Sequence, residues 1–408
     1  MSWLVLGAVL PSFVVAWLAG FFVRAWAPGW GLIDRPGHRK VHTQPTPLGG
    51  GLAIWLGVVL PLAAGSLAVA MVPAAFNPNT SSTVTAGQTQ NVGVETQGQA
   101  ARGGAVPGTG PGWLWRPLRE MLREHGPGVR YRLPQLWAVL AGGTVLLLLG
   151  LADDRYRLDW RLRLAVQTAV AVFVVLLGWQ ITLYTEARWL TAALTVLWIV
   201  GLVNAFNMLD NMDGLSAGVA SIASVVLAAA LLISPSQADF RPQLFVAGLL
   251  LVLVGALAGF LWHNRPPARL FMGDAGSYFV GYCVATATIM ATYTRDRLPT
   301  HAVLTPLVVL AVPLYDAATV VWIRLREGRS PFEGDKSHLS HRLVELGMSK
   351  GQAVLTIYLL TATCGLGALV LNQVNEAGAW VILALVGCVL LLVGILETAG
   401  RRGRNGRI

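Results

Sequence analysis

The feature that most constrains this chain is a series of long apolar stretches separated by short polar segments. A helix of about 20 apolar residues spans the hydrocarbon core of a bilayer. Only 12% of the 408 residues are charged and 55% are hydrophobic, whereas a soluble protein carries about 25% charged residues. The sequence therefore predicts an all-α polytopic membrane protein with about eleven transmembrane helices. They are centred near residues 13, 61, 143, 172, 197, 224, 252, 284, 311, 362 and 387.

The distribution of basic residues orients these helices. If successive spans cross in opposite directions, the side reached by the first span receives 20 of the 30 Lys and Arg residues, and the short loops of the other side receive 4. Because cytoplasmic loops collect basic residues, we expect the amino terminus outside and the carboxyl terminus in the cytoplasm. The same distribution accounts for the net charge of +10 without a nucleic-acid partner. The first stretch lacks a preceding basic residue and a cleavage site, which favours a retained span over a signal peptide.

We predict a single integral membrane domain over residues 1–408, interrupted by an extracytoplasmic loop over residues 74–133. Residues 77–112 are rich in Thr, Gln, Asn, Ser and Gly, cannot bury a core, and are therefore predicted to be disordered. Residues 113–132 mix Trp and Leu with Arg at near-helical spacing, which fits an interfacial helix on the outer leaflet. A solvated linker explains residues 113–132 equally well.

Acidic and amide side chains stand at the ends of spans that this topology places on the cytoplasmic side. A carboxylate beside hydrocarbon is costly, so its presence there is a functional-site hypothesis. Asp and Asn oxygens suit Mg²⁺, and a phosphorylated substrate would share the ion. Helix capping and polar contacts between helices are the alternatives. The residues are the adjacent pair Asp153 and Asp154, then Asn204, Asn207, Asp210, Asn211 and Asp213, and finally Asp274.

Two glycine-rich segments predict anion binding at helix starts. The first runs from Asp34 through Arg39 and Lys40 to the triplet Gly49–Gly51, and the second is Gly273–Gly276, preceded by Arg269. The start of a helix offers free N–H groups and the positive end of the helix dipole, so both segments are expected to meet phosphate. An ordinary basic loop and a simple aspartate cap are the alternatives, but they leave the glycines without a role.

A basic loop after the ninth predicted span carries His338, His341 and Arg342. Arginine and histidine can neutralise a leaving phosphate, so this loop is expected to face the carboxylates. Zinc is a poor alternative because no cysteine or third histidine lies nearby. Asp316, inside the preceding span, is costly unless it pairs with a group such as a loop arginine.

In this order, these segments resemble the polyprenyl-phosphate N-acetylhexosamine-1-phosphate transferases of glycosyltransferase family 4, over roughly residues 1–75 and 134–400. The resemblance implies an enzyme that joins a UDP-activated amino sugar to a membrane polyprenyl phosphate and releases UMP. The segment from Asp34 to His42 looks like the branch that uses UDP-N-acetylglucosamine and undecaprenyl phosphate. The phospho-MurNAc-pentapeptide branch remains the alternative, and a polytopic transporter is the rival from another class.

The resemblance also implies a multi-pass protein of the bacterial cytoplasmic membrane whose active site faces the cytoplasm. The expected partners are a UDP-sugar and a polyprenyl phosphate, and no nucleic acid is expected. Both a monomer and a homodimer are compatible with the sequence. The expected cofactor is Mg²⁺, with Mn²⁺ as an alternative.

The residue pattern and the resemblance together assign roles to thirteen side chains. The predicted catalytic residues are Asp153, Asp154, His338 and His341. The predicted substrate-binding residues are Arg39, Lys40, Asn204, Asp210, Asp213, Arg269 and Arg342. The predicted metal ligands are Asn207 and Asp274.

Two positions depart from the family pattern. The family often has Asp-Gly where this chain has Asp210-Asn211, and its histidine-rich loop commonly has a middle histidine where this chain has Ser340. Because asparagine tolerates the left-handed conformation better than most residues, we expect the backbone at Asn211 to be kept. Nothing is assigned to Ser340.

Overall fold

The structure is a computed structural model that describes residues 2–35, 45–71, 112–183, 185–233, 243–291, 300–332 and 337–405. The first helices in these residues are α1 (Ser2–Trp26), α2 (Gly50–Met71), α3 (Gly112–Tyr156), α4 (Trp160–Leu176), α5 (Arg188–Leu209), α6 (Leu215–Leu232) and α7 (Leu244–Asn264). The remaining helices are α8 (Gly273–Met290), α9 (Thr305–Val309), α10 (Ala311–Arg326), α11 (Leu339–Glu345), α12 (Lys350–Leu371) and α13 (Glu376–Asn405). Short 3₁₀ turns cover Ala27–Trp30 and Thr300–Leu304.

Each of the eleven predicted centres falls on a helix or on the bend between α9 and α10. Within the described ranges, eight helices are long and apolar enough to cross a membrane. The segments Thr300–Val309 and Ala311–Arg326 are bent by 66° relative to each other, and counting this pair as one span gives nine. The two predicted spans that fall short are α4, with 17 residues, and α8, with 18 residues and a polar first turn. The helical, polytopic architecture is confirmed, whereas the count of eleven and the orientation of the termini stay predictions.

The described chain forms two compact units, one of residues 1–63 and 135–408 and the other of residues 64–134. In the second unit, the guanidinium of Arg130 donates to the carbonyl of Val69 at 2.6 Å. Residues 113–132, for which we predicted an interfacial helix or a solvated linker, are helical and belong to α3. Of residues 77–112, where we predicted disorder, residues 77–111 lie outside the described residues and Gly112 is the first residue of α3.

Small residues let the helices of the larger unit approach closely. A methyl group at Gly255 of α7 would lie 2.2 Å from the carbonyl oxygen of Val9 in α1. A methyl group at Gly281 of α8 would lie 2.8 Å from the carbonyl oxygen of Leu202 in α5. Helix association in lipid depends on such close contact, because lipid tails are as apolar as the side chains they would replace. The close packing of α5 and α8 brings the polar ends of these two helices together.

A small hairpin precedes α2. Strand β1 (Ile33–Asp34) pairs antiparallel with β2 (Thr46–Pro47), with Ile33 opposite Pro47 and Asp34 opposite Thr46. The backbone N–H of Phe271 donates to the carbonyl of Pro47 at 2.9 Å, so the segment before α8 lies against this hairpin. The predicted substrate residues Arg39 and Lys40 lie in 36–44, outside the described residues.

Candidate active site

Asp153, on the last turns of α3, has partners on both carboxylate oxygens. One oxygen accepts from the backbone N–H of Leu158 at 2.8 Å. The other accepts from the guanidinium of Arg163 at 2.8 Å and from the hydroxyl of Tyr278 at 3.0 Å. The residue is only 4% exposed. Because bonds to a guanidinium are strong and directional, the Asp153 side chain is held in place between α3, α4 and α8.

Asp154 has different surroundings, although it is the next residue. Its two oxygens accept from the backbone N–H groups of Asp274 at 2.9 Å and Ala275 at 3.3 Å, and the side chain stays partly exposed. Asp154 thus caps the start of α8. Gly273, with φ +71°, makes room for this contact, because a methyl group there would lie 2.5 Å from an oxygen of Asp154. A side chain at that position would also be strained by the left-handed backbone.

Asn207 and Asp274 meet at the same place. The amide nitrogen of Asn207, near the end of α5, donates to the carboxylate of Asp274 at 2.5 Å and to the hydroxyl of Ser277 at 3.1 Å. Both Asn207 and Asp274 are half-buried. The structure therefore brings the two predicted metal ligands into direct contact, with Asp154 on the adjacent backbone.

Asp210 completes this group of carboxyl groups, which we call the α8-start cluster: Asp154, Asp210 and Asp274. Burial, with the nearby charges of Asp274 and Asp213, raises the pKa of Asp210 to about 8, although the backbone N–H of Gly273 opposes the shift. The side chain keeps some exposed surface, but it lies deep among protein atoms. A carboxyl group with such a pKa is mostly protonated at neutral pH unless a cation lies beside it.

The donor set suits a hard divalent cation shared with phosphate. Among the described residues, no three His, Cys, Asp or Glu side chains form a ready-made metal cage. Mg²⁺ does not require one, because it retains water and phosphate oxygens and takes only one or two protein carboxylates. Asp274 supplies a carboxylate, and Asn207 supplies an amide oxygen once its side chain turns. Which end of an amide faces a neighbour is assigned from hydrogen bonding, so this rotation is available.

The prediction that two helix starts offer free N–H groups to phosphate is wrong. At α8, the N–H groups of Asp274 and Ala275 donate to Asp154. At α2, the N–H groups of Gly50 and Gly51 donate to the carbonyls of Phe271 and Met272 at 2.9 and 3.0 Å. The alternative, an Asp274 N-cap, is also wrong, because the cap comes from α3.

The glycines that we assigned to anion binding serve packing instead. A methyl group at Gly51 would lie 2.3 Å from the backbone nitrogen of Gly276. A methyl group at Gly150 would lie equally close to the backbone nitrogen of Ala275. The starts of α2 and α8 and the end of α3 therefore converge with almost no side-chain volume between them, and this convergence places Asp154 on α8.

Asn204, Asn207 and Asn211 have the spacing of one helix face, but they do not share a helix, because α5 ends at Leu209. Asn204 donates to the side-chain oxygen of Gln167 in α4 at 2.6 Å, so it joins two helices rather than facing the cluster. Asn211 donates to the carbonyl of Met208 at 2.8 Å and accepts from the hydroxyl of Ser340 at 2.5 Å.

The expectation of a left-handed backbone at Asn211 is also wrong. Arg157 is the only non-glycine residue with positive φ in the described part of the chain. The segment after α5 instead uses Gly214, at φ +77°, to enter α6. The asparagine at position 211 is thus explained by its side-chain contacts rather than by backbone conformation.

Asp213 and Asn264 tie the segment after α5 to the segment before α8. Asp213 accepts from the backbone N–H of Ala268 at 2.9 Å. The buried Asn264 accepts from the N–H of Gly214 and donates to the carbonyl of Leu270, both at 2.9 Å. Arg269 lies on the same segment and is exposed. Asp213 is therefore engaged with the backbone, while the cationic side chain of the segment faces outward.

A second acidic group lies where α10 meets α11, and we call it the α10–α11 corner: Asp316, His338, Arg342 and Glu397. The buried Asp316 accepts from the backbone N–H of Leu339 at 2.6 Å and lies 3.1 Å from Nδ1 of His338. We predicted an arginine partner for Asp316. The arginine is Arg342, at 3.9 Å, but the closer partners are the histidine and the start of α11.

Arg342 points into the protein. Its guanidinium donates to the hydroxyl of Thr319 at 3.0 Å and lies 3.3 Å from the carboxylate of Glu397 in α13, and it is 3% exposed. This burial favours a structural role over direct contact with a nucleotide. His341, half-buried, has its ring centroid 6.4 Å from that of His338.

Sequence reasoning missed three residues that contact the predicted site residues: Arg163, Tyr278 and Glu397. Arg163 and Glu397 could have been found from the sequence, because a charged residue in or beside an apolar helix needs a partner. Tyr278 gave little sign of its role, because a tyrosine in a helix has many ordinary roles.

Comparisons with known proteins agree with these segments. Residues 136–292 match the family model described as glycosyl transferase family 4. A probable undecaprenyl-phosphate N-acetylglucosaminyl 1-phosphate transferase from Bacillus subtilis (strain 168) is 28% identical over 374 residues, 90% of this chain and 84% of the relative. A decaprenyl-phosphate N-acetylglucosaminephosphotransferase from Mycobacterium leprae (strain TN) is 32% identical over 390 residues, 88% of this chain and 81% of the relative.

A more distant relative is the undecaprenyl-phosphate alpha-N-acetylglucosaminyl 1-phosphate transferase of Escherichia coli (strain K12). It is 24% identical over 403 residues, 95% of this chain and 89% of the relative. The range matched by the family model, 136–292, contains the whole α8-start cluster and Asn207.

Proposed function

Because this chain belongs to glycosyl transferase family 4, with the polyprenyl-phosphate N-acetylhexosamine-1-phosphate transferases, we propose that it transfers N-acetylglucosamine-1-phosphate from UDP-N-acetylglucosamine to a polyprenyl phosphate. The observation that carries the proposal is the α8-start cluster, in which three separate segments place carboxyl groups around one helix start. The three relatives described above all bear names of N-acetylglucosamine phosphate transferases. Their names support this donor over the pentapeptide donor.

The reaction exchanges one phosphoric anhydride bond for another. An oxygen of the lipid phosphate forms a bond to the phosphorus that carries the sugar. The bond from that phosphorus to the bridging oxygen breaks, and UMP leaves with the bridging oxygen and its electron pair. No water is consumed. Phosphoryl transfer of this kind depends on positioning and charge neutralisation, and we infer direct attack rather than a covalent enzyme intermediate.

Asp154 would orient the lipid phosphate, because it is partly exposed, whereas Asp153 is buried and bonded to the side chains of Arg163 and Tyr278. Asn207 and Asp274 would hold Mg²⁺, or Mn²⁺, which when bound neutralises the charge of the phosphates. Asp210 borders the same place and would face the nucleotide-sugar. Asp213 would act there through the backbone of Ala268.

Basic side chains would receive the diphosphate. Arg269 is exposed on the segment before α8, and His341 is half-buried on α11. Arg39 and Lys40 are proposed for the same role, while His338 would act through its bond with Asp316. We place this site on the cytoplasmic face of a bacterial cytoplasmic membrane, because that face carries the basic loops and cytoplasmic UDP-sugars can reach it.

The direct test is UMP release by the purified protein in detergent. We expect release from UDP-N-acetylglucosamine only when polyprenyl phosphate is added, with loss of release in EDTA and recovery on addition of Mg²⁺. Release from UDP-MurNAc-pentapeptide but not from UDP-N-acetylglucosamine would assign the other branch. No release from either donor, with the protein intact, would refute the transferase.

A quenched reaction tests the chemical step separately. With UDP-N-acetylglucosamine labelled in the sugar phosphate, direct attack leaves label in the substrate and the lipid product but not in the protein. A labelled aspartate that forms and decays at the rate of turnover would overturn direct attack while leaving the transferase assignment intact.

A further inference from the structure

Ser340 is buried in α11, and its hydroxyl has one partner outside its own helix. The residue is 1% exposed, and Oγ donates to the side-chain oxygen of Asn211 at 2.5 Å. The amide nitrogen of Asn211 donates in turn to the carbonyl of Met208 in the last turn of α5. One asparagine side chain therefore joins the end of α5 to α11.

The two joined elements carry different parts of the active site. Asp210, a member of the α8-start cluster, immediately precedes Asn211, and His341 immediately follows Ser340. Helix α11 has only seven residues, so tertiary contacts must decide its orientation. The structure shows a contact at its start, from Leu339 to Asp316, another in its first turn, from Ser340 to Asn211, and a third from Arg342 to Thr319.

These are also the two positions at which the sequence departs from the family pattern described above. A glycine at position 211 would offer Ser340 no side-chain acceptor. A larger side chain in the buried place of Ser340 would need the space that Asn211 and its neighbours now fill. The two departures are in contact, which makes them one structural feature rather than two independent exceptions.

We propose that Ser340 and Asn211 are a pair of positioning residues that holds His341 in register with Asp210 during phosphosugar transfer. This inference rests on the proposed function, because it assigns the pair to the same site. Neither side chain needs to touch substrate. Their bond fixes the distance between the segment after α5, which bears carboxyl groups, and the helix that bears a basic group.

The test is a cycle of Ser340→Ala, Asn211→Ala and the double variant, assayed by UMP release from UDP-N-acetylglucosamine. Because a buried hydrogen bond contributes about a factor of ten, we expect Ser340→Ala to lower kcat about 10-fold. The KM for the donor should stay within about twofold, since an orientation effect appears in the chemical step. The double variant should lose no more than Asn211→Ala alone, because both changes break the same bond.

His341→Gln links the pair to its target. If the pair acts through His341, Ser340→Ala should have little further effect on kcat in the His341→Gln background. Ser12→Ala is the matched control: Ser12 is also buried, and its hydroxyl donates to the carbonyl of Ala8 within α1. This control should keep the wild-type kcat.

Three results would overturn the proposal: a wild-type kcat in Ser340→Ala, a loss of kcat in the double variant equal to the product of the two single losses, or a full effect of Ser340→Ala on kcat in the His341→Gln background. A purely structural serine would lower the melting temperature of the protein without the kcat change. Failure of the proposed function is distinguishable, because then the wild-type protein itself would release no UMP.

Discussion

The α8-start cluster and the α10–α11 corner are both acidic, but their charges are balanced in different ways. In the corner, Asp316 lies beside His338 and Arg342, and Glu397 lies 3.3 Å from the guanidinium of Arg342. In the cluster, Asp154 accepts from backbone N–H groups and Asp274 from the amide of Asn207. In the corner the carboxylates lie beside a histidine and an arginine, whereas in the cluster the carboxyl groups accept from backbone and amide N–H groups.

From this difference we infer that the corner is a structural site and that the cluster binds a ligand. A buried acid with a basic partner is satisfied within the protein, and removing the partner is what costs stability. Carboxyl groups that gather without cations repel one another and raise each other's pKa, which an incoming cation relieves. The comparison therefore predicts that substitutions in the cluster lower activity, while substitutions in the corner lower stability.

The largest expected effect is that of Asp274→Asn. The substitution keeps the shape of the side chain but removes the charge that would hold a divalent cation. We expect kcat to fall about 10³-fold, equivalent to about 4 kcal/mol, in the range found when one charge-stabilising group is removed from an active site. UMP release measures the effect, and the amount of inserted protein should be unchanged.

Asp159→Asn is the matched control for Asp274→Asn. Asp159 is exposed and caps α4 by accepting from the N–H of Arg161 at 2.8 Å. Its activity should stay near that of the wild type. Wild-type turnover in Asp274→Asn would show that Asp274 is not a metal ligand. It would also refute the proposed difference in role between the cluster and the corner.

The next effect concerns stability in the corner. Arg342→Ala leaves Glu397, only 7% exposed, without its cation, so we expect the free energy of unfolding to fall by about 3 kcal/mol. Thermal unfolding in detergent measures the effect. Adding Glu397→Gln should restore part of the loss, because the uncompensated charge is then gone. Our sequence-based prediction was a direct role in nucleotide binding, and the burial of Arg342 shifts the expected effect from donor affinity to stability.

An exposed ion pair provides the control for Arg342→Ala. Arg329 pairs with Glu327 at 2.5 Å, with 34% and 51% of the side chains exposed. Such surface pairs contribute less than about 1 kcal/mol, so Arg329→Ala should change the unfolding temperature little. A large rise in the KM for UDP-N-acetylglucosamine in Arg342→Ala, with unchanged stability, would instead support the nucleotide role.

The sequence predicts the helices and the composition of the site well, because both depend on strong local signals. Long apolar runs locate the spans, and charges beside hydrocarbon mark Asp154, Asp274 and Asp316. Both signals arise from the cost of placing polar groups in a bilayer, which acts on each segment separately. No knowledge of which helices touch is needed.

The partners of these residues could not be predicted, because they depend on which helices meet. The sequence suggested that the N–H groups at the start of α8 are free, but in the structure they donate to Asp154 at the end of α3. Likewise Gly51 looked like part of a phosphate loop, but it lies against Gly276. The spacing of residues within one segment carries no information about a contact across 120 residues of chain.

A smaller effect should distinguish the two adjacent acids at the end of α3, Asp153 and Asp154. Asp154→Asn is expected to lower kcat about 10²-fold, because it removes the carboxylate that we propose orients the lipid phosphate. Asp153→Asn removes the partner of Arg163 and should lower the melting temperature together with activity. Parallel measurements of kcat and unfolding temperature distinguish them. Loss of activity in Asp153→Asn at unchanged stability, with an active Asp154→Asn, would reverse the assignment.

The smallest effect is expected for Asn204→Ala, and it tests whether every amide near the cluster belongs to the active site. Asn204 bonds to the buried Gln167 at 2.6 Å, so its loss leaves one polar group unsatisfied between α4 and α5. We expect the free energy of unfolding to fall by about 1 kcal/mol, with kcat and the donor KM within about threefold of wild type. Asn207→Ala, the matched change one turn further along α5, should instead abolish most of the Mg²⁺-dependent rate. If Asn204→Ala raised the donor KM tenfold without destabilising the protein, our original substrate-binding prediction for Asn204 would stand. The boundary of the active site would then extend along α5 toward Gln167, because a residue that only joins helices has no reason to alter donor affinity.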